Sequence, residues 1–137
     1  MSLQELIENF ELLDDWEDRY RYLIDLGKAL PPMPESDKNE ETRVRGCVSQ
    51  VWMTSETVSR DTDGAEAIAI TADSDAHIVK GLIAVLLATY NFKTRAEIRG
   101  IDIDALFEQL GLQSHLSFNR RNGFFSMVER IRSYASE

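Results

Sequence analysis

From Asp75 to Asn91 the chain reads DAHIVKGLIAVLLATYN, and Ile78, Val79, Leu82, Ile83, Val85, Leu86, Leu87 and Tyr90 fall on almost every side of a helix. A helix that is apolar around nearly its whole circumference has no face for water, so other elements must enclose it. The unbroken apolar run, Gly81 to Tyr90, is far shorter than the roughly 20 residues that span a bilayer, so protein rather than lipid has to do the enclosing. The pattern therefore predicts a central buried helix over 75–91.

The flanking sequence supplies the cover. Ser2 and Glu5 have capping-box spacing, and Leu3, Leu6, Ile7, Phe10 and Leu13 follow at helical intervals. Asp14 and Asp15 are caps for a second helix, whose stripe of Trp16, Tyr20, Leu23, Ile24 and Leu30 ends at Pro31 and Pro32. Residues 31–42 have three prolines and no apolar period, and read as a loop. The next stretch is rich in Val, Thr, Ser and Trp, with a turn at DTDG, 61–64, and it predicts three short antiparallel strands near 42–45, 50–59 and 65–72.

Asp73, Ser74 and Asp75 are placed to cap the central helix. Beyond it, Thr94 and Glu97 form another capping box, Asp102 to Leu110 a short helix stopped by Gly111, and Ser117 opens a last helix carrying Phe124, Met127, Val128 and Ile131. Helices, strands, then helices imply an α+β fold: a small three-stranded antiparallel sheet packed against N- and C-terminal helices, as one domain over 1–137.

Charge narrows the function. The chain has 137 residues and a net charge of -9, of which residues 1–41 contribute -8 through 12 acids and 4 bases. Such a balance repels phosphate backbones and anionic lipid, which excludes nucleic acid and membrane as primary partners. The acidic N-terminus is unlike a signal peptide, and the expected location is cytoplasmic.

One cysteine, Cys47, stands in RVRGCVSQVWM, residues 43–53. A buried free cysteine acts as a small hydrophobe, and that reading stays open. Against it, Gly46 permits a tight turn, Ser49 and Gln50 are polar, and Arg43 and Arg45 favour a thiolate, so the alternative is a reactive thiol at a turn between the first two strands. A dithiol oxidoreductase needs a second cysteine, and a zinc or iron–sulfur site needs several soft ligands. With His77 and His115 as the only histidines, nothing in the spacing supports a cysteine hydrolase or a metal site. Among reactive roles there remains a one-thiol carrier.

The segment R-x-R-G-C-V-S-Q-V-W, residues 43–52, resembles the signature of the SufE family of sulfur acceptors. DSDAHIVKGLIAV, 73–85, and HLSFNRRNG, 115–123, are similar to further motifs of that family, and NFELLDDWEDRYRYLIDLGKALPPMP, 9–34, follows its N-terminal pattern. The resemblance implies a protein that takes the terminal sulfur of a persulfide onto Cys47 from a SufS-like or CsdA-like cysteine desulfurase. That sulfur then passes to an iron–sulfur assembly scaffold; the chain needs no cofactor of its own, since pyridoxal phosphate belongs to the desulfurase. Alternatives are a CsdE-like paralogue feeding another sulfur pathway, an adaptor in which Cys47 is a bystander, or a peroxide-reactive protein.

The expected partner-contacting residues are Arg43, Arg45, Asp73 and Arg120, with an edge of solvated charge as the competing reading for the two strand arginines and helix capping for Asp73. His115 is expected to be structural rather than a proton shuttle.

Overall fold

The structure is a computed structural model that describes residues 2–136. Two helices open the chain, α1 (Leu3–Leu12) and α2 (Trp16–Lys28), capped by the side chains of Ser2 and Asp15, which accept from the backbone N–H of Glu5 and Glu17. A 3-10 turn at Glu35–Asp37 sits in the proline loop. Strands β1 (Val51–Ser59) and β2 (Glu66–Ser74) form a hairpin. The rest is helical: α3 (His77–Tyr90), α4 (Arg95–Gly100), α5 (Ile103–Gln109), α6 (Leu112–His115) and α7 (Phe118–Ala135).

As the sequence predicts, α3 lies at the centre of the buried cluster, with Leu82, Ile83, Val85, Leu86 and Tyr90 all inaccessible or nearly so. The closest approach to it is made by α2. A Cβ on Gly27 would stand 2.7 Å from the Gly81 backbone nitrogen, and one on Gly81 would run into the Leu23 carbonyl. The two helices thus meet backbone to backbone, and no side chain fits between them.

The sheet has two strands, where three are expected. β1 and β2 pair antiparallel from Val51 opposite Ser74 to Ser59 opposite Glu66. Val51, Met53, Ile68, Ile70 and Ala72 share the face turned to the core, as period-two geometry requires. The missing strand survives as a single bridge between Arg43 and Trp52, with Met53 N–H donating to the Thr42 carbonyl and Val44 N–H to the Val51 carbonyl, each at 2.8 Å. Two local features cut it short. Asn39 ties residues 39–42 into a turn by accepting from the N–H groups of Glu41 and Thr42, and Gly46, at φ +88°, bends the chain off the sheet.

The caps follow the sequence except at α3. Thr94 and Glu97 form the reciprocal box, Ser117 accepts from Arg120 N–H at 3.3 Å, and Gly111 closes the turn after α5 at φ +72°. The cap of α3 is Ala76, which has no side chain to offer; Asp73 and Asp75 are used elsewhere. No helix among the described residues is long and apolar enough to cross a membrane.

Substituting Gly81→Ala forces α2 away from α3 and is expected to lower stability by about 2–3 kcal/mol, as overpacking of a tight contact does. Urea unfolding measures it, and an unchanged midpoint would contradict the backbone contact.

Candidate functional site

The segment containing Cys47 is a short loop held at both stems. On the N-terminal side, Arg130 of α7 donates to the Glu41 carbonyl at 2.8 Å and the Arg43 carbonyl at 3.4 Å. On the C-terminal side, the Ser74 hydroxyl donates to the Gln50 carbonyl at 2.7 Å, and Gln50 N–H donates to the Asp75 carboxylate at 3.0 Å. Between them the chain must turn at Gly46, whose left-handed backbone disfavours any side chain. A Cβ there would also collide with the Ser126 hydroxyl.

Fixed stems place Cys47 at the tip, as expected, but the tip lies against α7 rather than standing in water. The cysteine is half-buried, and its Sγ–H donates to the Gly123 carbonyl at 3.5 Å. A Cβ on Gly123 would sit 3.5 Å from that sulfur, so the glycine leaves the helix backbone open to the thiol. Beside it is a cavity of about 170 Å³, floored by Val79 and Leu82 of α3 and walled by Phe124 and Met127 of α7. Ser49 and Arg120 add polar groups to its lining.

These surroundings set the chemistry of the resting thiol. Burial pushes the Cys47 pKa up, and the positive charge of Arg43 pulls it down without prevailing. The expectation that two arginines favour the thiolate is therefore corrected. Arg45 is exposed and pairs with Glu40 at 3.2 Å, and desolvation outweighs Arg43.

The other expected residues divide between the mouth and the interior. Arg120 lines the cavity, and its guanidinium has no hydrogen-bond or ion-pair partner among the described residues. Asp73 is 6 % exposed and enclosed by Lys38 at 3.2 Å, Lys80 at 3.6 Å and the Ser74 N–H at 2.8 Å. Burial alone raises its carboxyl, but the Ser74 N–H and the two ammonium groups outweigh burial and hold it below the ordinary carboxylate range. His115 stacks on Trp16 with ring centroids 4.4 Å apart, and neither it nor His77 lines the cavity.

Three contributors escape a reading of the sequence: the Gly123 carbonyl, Ser126 and Arg130. Their signal is there, since Gly123, Ser126 and Arg130 recur at helical intervals on one face of α7. It becomes readable once the loop is known to lie on that face.

Comparison with known proteins places this site in context. The profile of SufE, described as an Fe-S metabolism associated domain, matches residues 4–135. A SufE-like protein of Rhizobium etli is 49% identical over 134 residues, covering 98% of this chain and 89% of the relative. Another SufE-like protein, of Rhizobium meliloti, is 48% identical over 136 residues, covering 98% and 94%. The solution structure of a hypothetical protein from Thermus thermophilus has the same fold, with a TM-score of 0.75, 17% identity and coverage of 99% and 96%.

Two outcomes are expected from this geometry. Alkylation of folded protein modifies Cys47 more slowly than a free thiol, with a pH midpoint above the ordinary thiol value of 9.0 that moves higher in Arg43→Gln; a midpoint below 9.0 would show that charge, not burial, governs the thiol. For Asp73, the lowered pKa means its contribution to stability is present above the ordinary aspartate value of 3.8 and is lost as pH falls through the folded value. Asp73→Asn should therefore cost about 2 kcal/mol at neutral pH, with the deficit shrinking below pH 3.8 in acid-dependent unfolding.

Proposed function

The chain belongs to the SufE family, and from that premise we propose that it accepts sulfur on Cys47 from a pyridoxal-phosphate-dependent cysteine desulfurase. Accepting it stimulates the desulfurase, and the sulfur goes on to an iron–sulfur assembly scaffold. The observation that carries the reading is the Cys47 thiol on a loop anchored at both stems, with a cavity of about 170 Å³ beside the sulfur. That space exceeds what one added sulfur atom needs, given that a water occupies roughly 30 Å³ of liquid.

The step is thiol exchange at a persulfide. The Cys47 proton leaves to solvent, and the thiolate attacks the outer sulfur of the donor's R–S–S–H group. The new bond joins Cys47 to that sulfur, the old S–S bond breaks, and the donor cysteine departs as a thiolate. Nothing is oxidised overall, because the outer sulfur keeps its oxidation state. A later thiol reductant releases the carried sulfur as sulfide and restores Cys47.

Residues around the loop have distinct parts in this reading. Arg43, Arg45 and Arg120 face the partner, with Arg120 at the cavity. Asp73 acts from within: it accepts from the N–H of Ser74, whose hydroxyl holds Gln50 and so fixes the loop's C-terminal stem. Pyridoxal phosphate stays with the desulfurase. The protonated, half-buried thiol also suits a second reading, an adaptor that activates the desulfurase by contact alone.

A serine at position 47 separates the two, because a hydroxyl is essentially never ionised at neutral pH. Cys47→Ser is expected to bind the desulfurase but not to stimulate sulfide release from cysteine in the presence of dithiothreitol. Wild-type protein mixed with desulfurase and cysteine should gain sulfur mass on the Cys47 peptide, removable by reduction. Full stimulation by the serine variant leaves the adaptor as the function.

A further inference from the structure

Five large apolar side chains are exposed among the described residues; one of them lines the Cys47 cavity and another lies in the helix turn whose neighbouring residues line it. Val48, 76 % exposed, adjoins Cys47 and lines its cavity. Phe118, 68 % exposed, stands between Ser117 and Asn119, which line the same cavity from the first turn of α7. On the other flank of that turn is a second cleft of about 350 Å³, where Phe118 stands with Phe107, Phe125 and Arg121, and with Asp104 as its one carboxylate. Phe107 and Phe125 pack edge to face with centroids 5.0 Å apart, which gives the cleft an aromatic wall.

We propose that Phe118 and the cleft beside it are the anchor that seats the protein donating sulfur to Cys47, and that they set its affinity. This rests on Cys47 being a sulfur acceptor. Direct exchange requires the donor's outer sulfur to touch Sγ, so the donor's surface has to lie across the mouth that Val48, Arg120 and the first turn of α7 surround. Phe118 is the chain neighbour of Ser117 and Asn119 in that rim, and an interface of ordinary size, about 800 Å² on each partner, reaches past the rim to an adjacent exposed side chain.

Charge says what that surface is made of. The guanidinium group of Arg120, which lines the mouth, lacks an ion-pair partner among the described residues, in a chain whose net charge is -9. An acidic partner is repelled elsewhere and attracted here. The occupant is thus a persulfide-bearing protein with an apolar projection ringed by carboxylates. An exposed aromatic flanked by arginines is the composition in which binding energy concentrates. Ser117 caps the helix and the core closes on Phe124, so most of the Phe118 ring is left at the surface.

The test uses the intact chain with SufS-like and CsdA-like cysteine desulfurases, titrating wild type, Phe118→Ser and Phe118→Leu in the sulfide-release assay. Phe118→Ser should raise the half-saturating concentration at least about tenfold while approaching the same plateau, and Phe118→Leu should recover part of the loss. The alkylation rate of Cys47 in the isolated variants should equal that of wild type. Half-saturation unchanged by serine overturns the anchor, as does an altered alkylation rate, which would place the ring's influence at the thiol. Unchanged loading combined with slower transfer to a scaffold also overturns it, because the surface would then serve the recipient. A wild-type chain that stimulates none of the desulfurases removes the acceptor reading itself, and the anchor with it.

Discussion

Because α3 is buried around most of its circumference, with only the stripe of His77, Lys80, Ala84, Leu87 and Ala88 reaching toward the surface, the neighbouring elements have to lay apolar stripes against it. The nearest, α2, does so with no side chain in between, at Gly27 and Gly81. That contact fixes the distance between the helices, and α1 and the hairpin fill what space remains, Leu6 and Phe10 from one side and Ile68 and Ile70 from the other. A helix with a polar face would tolerate a looser arrangement. Here any displacement opens a void along a surface that has no water to fill it.

The same requirement builds the site. Val79 and Leu82 face the sequence-distant helix α7, and their contact with Phe124 and Met127 leaves the cavity into which the sulfur of Cys47 looks. α7 serves as the other wall and also as the rail for the loop: the Gly123 carbonyl accepts a hydrogen bond from the Cys47 thiol, Ser126 lies against Gly46, and Arg130 holds Glu41 and Arg43. Those groups follow one another at three- and four-residue intervals, so a single helix face supplies both support and anchorage. Stability and site geometry are consequently coupled through α7.

Helices, caps and the position of the thiol are legible in the sequence because each is a local matter. Thr94 with Glu97 and Ser117 need only their own first turns, and Gly46 announces its bend without help from the rest of the fold. The third strand fails for a non-local reason: residues 42–45 have strand composition, but a turn at Asn39 and the bend at Gly46 leave two ladder bonds. Asp73 and Asp75 fail similarly. Beside a helix start they read as caps, yet Lys38, 35 positions away in the chain, and Gln50 claim their oxygens. Thiolate stabilisation by Arg43 is a charge argument that leaves out burial, and burial is the larger effect.

A carrier thiol faces opposing demands. It must ionise to attack, and the sulfur it carries must be covered, since an exposed persulfide is open to any thiol or oxidant that arrives. A permanently exposed, arginine-activated cysteine meets the first demand alone. Cys47 at rest is arranged for the second: desolvated, protonated, and donating to a backbone carbonyl that offers no basicity. On the proposed reading, the first demand is left to the encounter with the donor. Between the locked stems, the tip is restrained by one long sulfur hydrogen bond of 3.5 Å and the packing of Gly46 on Ser126, a restraint far weaker than either stem. The fold thus fixes the stems of the loop firmly and holds the thiol itself by its weakest contact, which is the arrangement that the proposed carrier role requires.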